Sequence, residues 1–325
     1  MARKKLSSPA TDEAGTLSLS DARAQLGERV THLKPGERLD LTRHGKTVAT
    51  VISPEELQLL NLAKDAAMKS TKVLMCFNHA GGASKSSTTR DLGYELTQLG
   101  QKVLLIDLDP QANLTSWLGL QNVQLSQTVN DALLNLTPLP EPLEAHGMSI
   151  IPSHIDLSET GELLGVKGNG DGRLEIALQK VRSAGIYDYI LIDPPPALGK
   201  LTTSGARAAD YLIVPLPAKY KGVEALGGVQ RMVSEYSVLN PKLRVAFYVV
   251  TQMEKTRHAS DVLSLYRQTL GDKVIGPISW RPKVYNECQP MGLPIGVMFP
   301  DDSARAEIQE IAHKLMEVVA AGVYA

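Results

Sequence analysis

Residues 73–87 read Val73-Leu-Met-Cys-Phe77-Asn78-His79-Ala80-Gly81-Gly82-Ala83-Ser84-Lys85-Ser86-Ser87, an apolar run that ends in a glycine-rich turn and a Lys-Ser pair. Beyond the pair, Leu92, Leu96 and Leu99 recur at helical spacing and Gly100 closes the pattern. Strand, glycine-rich turn and lysine at a helix start make a phosphate cradle, because bare backbone amides and the positive end of the helix dipole converge on one place. In such a cradle Lys85 reaches the β and γ phosphates and the Ser86 hydroxyl binds Mg²⁺. The glycine usual before the lysine is Ser84 here, so the loop taken alone is a weak signal.

Its surroundings strengthen it. Val103-Leu-Leu-Ile-Asp107-Leu-Asp109-Pro110-Gln111 and Tyr187-Asp-Tyr-Ile-Leu-Ile-Asp193-Pro are hydrophobic runs that end in carboxylates. Each sets an acid at the carboxyl end of a parallel strand, where open α/β sheets bind ligands. From Lys72 onward short apolar runs alternate with helical stretches, and strands are expected at 73–77, 103–107, 148–151, 189–192, 211–214, 245–250 and 274–278. That alternation is the mark of βαβ units, hence of an α/β fold with a mainly parallel sheet covered by helices on both faces.

The chain has 325 residues, 43% hydrophobic and 21% charged, which excludes a disordered, collagen-like or coiled-coil protein. A net charge of -1 means that any nucleic-acid contact comes from a local basic patch. Cys76 and Cys288 are too few for a disulfide framework, and neither they nor the histidines and methionines cluster as metal ligands. Met-Ala-Arg-Lys-Lys at the start is followed by polar residues where a signal peptide has its apolar region, and no apolar run approaches the ~18 residues of a membrane span. A cytoplasmic location is expected.

The segments Asn78–Ser87 ("NHAGGASKSS"), Leu104–Thr115 ("LLIDLDPQANLT"), Tyr187–Gly199 ("YDYILIDPPPALG") and Val214–Leu226 ("VPLPAKYKGVEAL") together resemble the ParA/Soj/MinD family of deviant Walker P-loop ATPases over about residues 72–320. The resemblance implies a P-loop NTPase that takes ATP and Mg²⁺ as cofactors. By it, Gly81, Gly82, Ala83, Ser84, Lys85, Ser86 and Ser87 cradle the nucleotide, and Lys85 also serves catalysis. Asp109 positions or activates the attacking water, Asp193 is the Walker B acid near Mg²⁺, and Asp107 supports the metal shell with Ser86. Purine contacts come from Gln252, Trp280 and Arg281, the last standing where a proline is usual.

Three departures qualify it. The family's signature lysine, which acts across the dimer on the partner's nucleotide, is Ala80. The glycine before Lys85 is Ser84. An arginine used for nonspecific DNA aligns with Val284, although Arg257, Arg281 and Lys283 offer a basic patch. Lys219 stands where the family commonly has an acid, in a loop near the family's dimer interface. If that loop is extended, Lys219 and Lys221 project to one side, and either is a candidate for the displaced cation. Hydrolysis is expected to be weak. The final helix, from Ala304 with Ile308, Ile311, Leu315 and Val318 on one face, reads as a covering helix, since the membrane anchor of the MinD branch wants a basic polar face and Lys314 is its only lysine.

The N-terminal segment is organised differently. Residues 1–13 read as a tail, and Thr16-Leu-Ser-Leu-Ser20 as a short strand. A helix is expected over 21–34 with Ser20 as cap and Pro35-Gly36 as stop, then two strands joined by Arg43-His44-Gly45-Lys46, then a helix opening at Ser53-Pro54-Glu55-Glu56. This order, over residues 14–60, resembles the Phd/YefM antitoxin DNA-binding and dimerisation module, and a slight positive excess in residues 1–71 agrees with a DNA-facing segment. A small α+β oligomerisation module with no DNA role is the alternative. Residues 61–71 read as a linker and 72–325 as the ATPase domain.

The expected function is therefore plasmid or chromosome partition. The chain would form an ATP-dependent homodimer that binds DNA nonspecifically at the nucleoid, works with a ParB-like centromere-binding protein, and represses its own operon through the N-terminal module. The rival is a nucleotide-sensing transcriptional repressor that no longer hydrolyses ATP.

Overall fold

The computed structural model describes residues 16–31, 33–34, 36–60, 71–196 and 198–322. The chain divides into two units, Met1–Lys69 and Ser70–Ala325. The expected tail over 1–13, the helix stop at Pro35 and residues 61–70 of the linker expected over 61–71 lie outside the described residues.

In the first unit, strands β1 (Thr16–Ser18), β2 (Arg38–Arg43) and β3 (Lys46–Ile52) form one sheet in the order β1-β2-β3. β2 and β3 are an antiparallel hairpin, and β1 lies parallel to β2. His44 and Gly45 turn the hairpin at φ 51° and 75°, the left-handed pair that a two-residue turn requires. The helix after β1 runs Leu19–Thr31, so Ser20 falls inside its first turn and is not the cap the spacing suggested. Lys34, expected helical, instead sits in a turn whose backbone N–H donates to Glu37 Oε2, in keeping with the bias of a residue before proline away from helix. Ser53 caps the next helix as expected, accepting from Glu56 N at 3.1 Å. Ala22, Leu39 and Leu41 make a small core.

The second unit is built on eight strands: β4 (Lys72–Cys76), β5 (Val103–Asp107), β6 (Leu143–Ala145), β7 (Met148–Ile151), β8 (Tyr189–Asp193), β9 (Tyr211–Pro217), β10 (Arg244–Thr251) and β11 (Val274–Ile275). Their order is β11-β10-β9-β4-β8-β5-β7-β6, and every pairing is parallel except β6 with β7. β6 was not legible as a strand, being three residues long on the sheet edge. β11 stops at Ile275, short of the expected 274–278, because Gly276 takes φ 89° and Pro277 has no N–H to give to a ladder.

Both faces of β4 are buried. Val73, Met75 and Phe77 join one core cluster, while Leu74 and Cys76 join the other. A strand covered on both sides reads as a continuous apolar run for this reason. The second cluster packs the sheet against Leu92 and Leu96 of the helix Lys85–Gln98 and against Ile308, Ile311 and Leu315 of the helix Ser303–Ala321. The final helix is thus a covering helix, and among the described residues no helix is long and apolar enough to cross a membrane.

Candidate functional site

The strand order brings the sequence motifs together. β4, β8 and β5 are neighbours, so the glycine-rich turn after β4, Asp193 at the end of β8 and Asp107 at the end of β5 share one edge of the sheet. Asp107 and Asp193 are register partners, and Asp109 follows two residues past β5.

The turn is braced from within. Asn78 Nδ2 donates to Pro215 O at 2.7 Å, and Asn78 Oδ1 accepts from Ala80 N at 2.8 Å. Gly82 takes φ 72°, as a phosphate loop needs, and Ser84 takes φ 68°, ψ 24° in the left-handed region. A side chain there costs roughly 1–2 kcal/mol that glycine avoids. Gln252 Nε2 donates to Gly82 O at 2.6 Å and to Ser84 Oγ at 3.1 Å. Ser84 O accepts from Thr88 N at 2.9 Å and so opens the helix whose first residue, Lys85, is only 7% exposed.

The carboxylates differ in what holds them. Asp107 is fully buried and spends both oxygens on the chain: Oδ1 accepts from Asp109 N at 3.1 Å, and Oδ2 from Thr115 N at 3.0 Å and Thr115 Oγ1 at 2.7 Å. Burial pushes its pKa up to about 7, while those hydrogen bonds hold it down. Those three contacts organise the segment 109–115 around Asp107. Asp193 is also fully buried, yet neither oxygen accepts a hydrogen bond of ordinary geometry among the described residues. Burial first, and the charge of Asp107 second, raise its pKa well above the usual carboxylate value; the Ser86 hydroxyl and the Lys85 ammonium oppose the shift. Asp109 accepts from Gln111 N at 3.0 Å, and its carbonyl from Ser153 Oγ at 2.6 Å.

A cleft of about 360 Å³ opens over the turn, lined by residues 81–88, Asp109, Gln252 and Trp280 among others. The expected cradle residues, Gly81 to Ser87, all line it. Arg281, expected at the purine and in the DNA patch, is ion-paired here: its Nη2 donates to Glu307 Oε1 at 2.9 Å, and Asp302 lies 3.9 Å from its Nε. Its charge is compensated by the final helix. Arg257 and Lys283 are exposed, and Val284 is buried.

Lys219 and Lys221 are both exposed, but the loop is not extended. A helix starts at Tyr220, and Lys219 O accepts from Gly222 N at 2.8 Å, so the two side chains do not alternate as on a strand. Lys219 Nζ sits 4.9 Å from the centre of the Trp280 ring, a cation–π contact at the rim of the cleft.

Trp117, Tyr285, Asn286 and Gln289 also line the cleft and were missed in the sequence. They carry no motif, and only folding brings the helix Pro282–Met291 to the glycine-rich turn. Among the described residues no group of three or more His, Cys, Asp or Glu is arranged to hold a metal ion by itself.

The profile of an AAA domain family matches residues 71–245. The chain is 35% identical over 264 residues to a probable plasmid-partitioning protein ParA of Thermus thermophilus, covering 77% of this chain and 80% of the relative. It is 30% identical to the sporulation initiation inhibitor protein Soj of Bacillus subtilis, covering 73% and 94%. A crystal structure described as cobyrinic acid a,c-diamide synthase of Mycobacterium smegmatis, with bound ADP and magnesium, superposes with a TM-score of 0.63 at 29% identity, covering 75% of this chain and 93% of that one.

Proposed function

The chain belongs to the ParA/Soj family of partition ATPases, and from that membership we propose that it binds and slowly hydrolyses ATP, dimerises around the nucleotide, holds DNA nonspecifically at the nucleoid, and moves a plasmid or chromosome with a ParB-like partner. The observation that carries this reading is the alignment of three adjacent strand ends: the loop bearing Lys85, Asp193, and Asp107 with Asp109 just beyond it. ATP turnover measured with and without DNA, and with the product of the neighbouring gene, tests it. ATP binding without turnover under any of these conditions would reject it in favour of the nucleotide-sensing repressor, the reading that Ala80 and Ser84 favour.

The residues present fit ATP and Mg²⁺. Asp193 is a buried carboxylate with no hydrogen-bond partner of ordinary geometry, and the hydroxyls of Thr88 and Thr251, on the wall of the cleft, are buried and likewise unpartnered among the described residues. Such groups are costly unless a ligand satisfies them. We assign Ser86 and Asp193 to Mg²⁺, which when bound neutralises charge on the β and γ phosphate oxygens. Lys85 and the backbone amides of residues 81–87 orient the phosphates, Asp109 orients water, and Trp280 faces the purine. Gln252 has both amide hydrogens engaged on the loop, so only its carbonyl oxygen is left to offer a base.

For the cation missing at Ala80, the contact with Trp280 favours Lys219 over Lys221, since it holds that ammonium beside the cleft. Lys219→Ala should slow turnover about tenfold, below the ~10³ or more of a fully engaged trans cation because an exposed ammonium is screened. Lys221→Ala should change little, and Ala80→Lys should restore the Lys219 variant. Wild-type turnover in Lys219→Ala would dismiss the role.

The N-terminal unit, with its β2–β3 hairpin and Ser53-capped helix, supports an operator-binding module of the Phd/YefM kind. Deleting residues 1–60 should abolish sequence-specific binding at the protein's own promoter and leave a salt-sensitive, nonspecific affinity through patches such as Arg257 and Lys283. A truncated protein that footprints the promoter like the full chain would refute this assignment.

A further inference from the structure

We infer that Gln252 is a positioning residue of the phosphate loop and that it works as one unit with Ser84, an inference that rests on the nucleotide-binding reading of that loop. Gln252 follows β10, two strands away from β4, and lies 168 residues beyond Ser84 in the chain. Its amide reaches back to bond both Gly82 O and Ser84 Oγ. The orientation of that amide is set by chemistry: Gly82 O can only accept, so the group 2.6 Å from it is the NH₂ and not the carbonyl.

Both members of the pair have left-handed backbones, Ser84 at φ 68° and Gln252 at φ 53°. Non-glycine residues hold such conformations only where the surroundings over-determine them. Ser84 also accepts the first hydrogen bond of the helix that presents Lys85 and Ser86, so its backbone sets where that helix end points. A glycine at position 84 adopts this φ unaided. A serine needs to be held there, and the Gln252 amide is the group that holds it. The clasp therefore replaces, by a tertiary contact, conformational freedom that glycine supplies locally.

The test uses the full-length protein and two probes, Mg²⁺ with ATP and Mg²⁺ with inorganic tripolyphosphate, which has no base. Trp117 and Trp280, the two tryptophans of the chain, both line the cleft and report binding by fluorescence, with calorimetry as a check. Gln252→Ala should weaken both probes about tenfold, and Gln252→Glu should do the same despite its nearly equal size, because a carboxylate oxygen facing Gly82 O repels it. In a Ser84→Gly background, Gln252→Ala should cost about twofold or less, since glycine no longer needs the support. Loss of ATP affinity with tripolyphosphate binding unchanged would overturn the inference and make Gln252 a purine contact. Equal losses in the two backgrounds would overturn the coupling, and a Gln252→Glu variant that binds like wild type would reduce Gln252 to space filling. Lys85→Ala separates this inference from its premise: wild-type tripolyphosphate binding in that variant sinks the phosphate-loop reading itself, whereas loss there with no effect at Gln252 sinks only the clasp.

Discussion

Lys85→Ala is expected to weaken ATP about a hundredfold or more and to abolish ATP-dependent dimerisation while the fold persists. Lys85 is 7% exposed at the first position of its helix, close enough for its charge to act on Asp193. A charge-assisted hydrogen bond contributes roughly 1.5–3 kcal/mol, and a buried ammonium facing two phosphates makes more than one. Without it the triphosphate would meet Asp107, Asp109 and Asp193 with no opposing side-chain charge from the loop. Stability should change little, because alanine suits a helix and the variant removes a desolvated charge. Calorimetry for ATP and light scattering for the dimer check the two halves, and undiminished ATP affinity would refute the nucleotide site.

Asp109→Ala should separate binding from turnover. Its carboxylate lies on the wall of the cleft and is 6% exposed, while its backbone is tied to Asp107 and Ser153. Those backbone ties survive the substitution, so the segment 109–115 should keep its place. What is lost is the group available to orient or deprotonate water, a role worth ~10²–10⁴ in rate. The expected variant binds ATP normally, turns over ~10²-fold or more slowly, and stays on DNA as an ATP-bound dimer, as read by single-turnover kinetics and DNA retention. Turnover near wild type would move the role elsewhere. Asp107 is a poor substitute, since both of its oxygens are already engaged.

Much of the fold was legible because its signals are local. Strands covered on both faces must be apolar at every position, so Val103–Asp107 and Tyr189–Asp193 announce themselves without knowledge of their neighbours. A glycine-rich turn before Lys-Ser declares a helix start that faces an anion, whatever surrounds it. The same locality located Ser53 as a cap and His44-Gly45 as a hairpin turn. It failed at β6, a strand only because β7 offers a ladder, and it placed the end of β11 three residues too late.

The amino-acid sequence by itself determined which residues can bear charge at this site and where along the chain each strand delivers them. Only the tertiary structure decided what those residues are free to do. Arg281, equally basic on paper beside Arg257 and Lys283, is neutralised by Glu307, which lies 26 residues away. Asp107 and Asp193 end similar strands, yet the first accepts three hydrogen bonds from Thr115 and Asp109, whereas the second accepts none of ordinary geometry among the described residues. Lys219 is drawn to Trp280, and Ser84 is held in a glycine's conformation by Gln252. The physical reason is that residue type fixes a side chain's charge and reach, whereas desolvation and hydrogen-bond saturation depend on groups far away in the chain, brought within about 3 Å by the packing of the sheet and its helices.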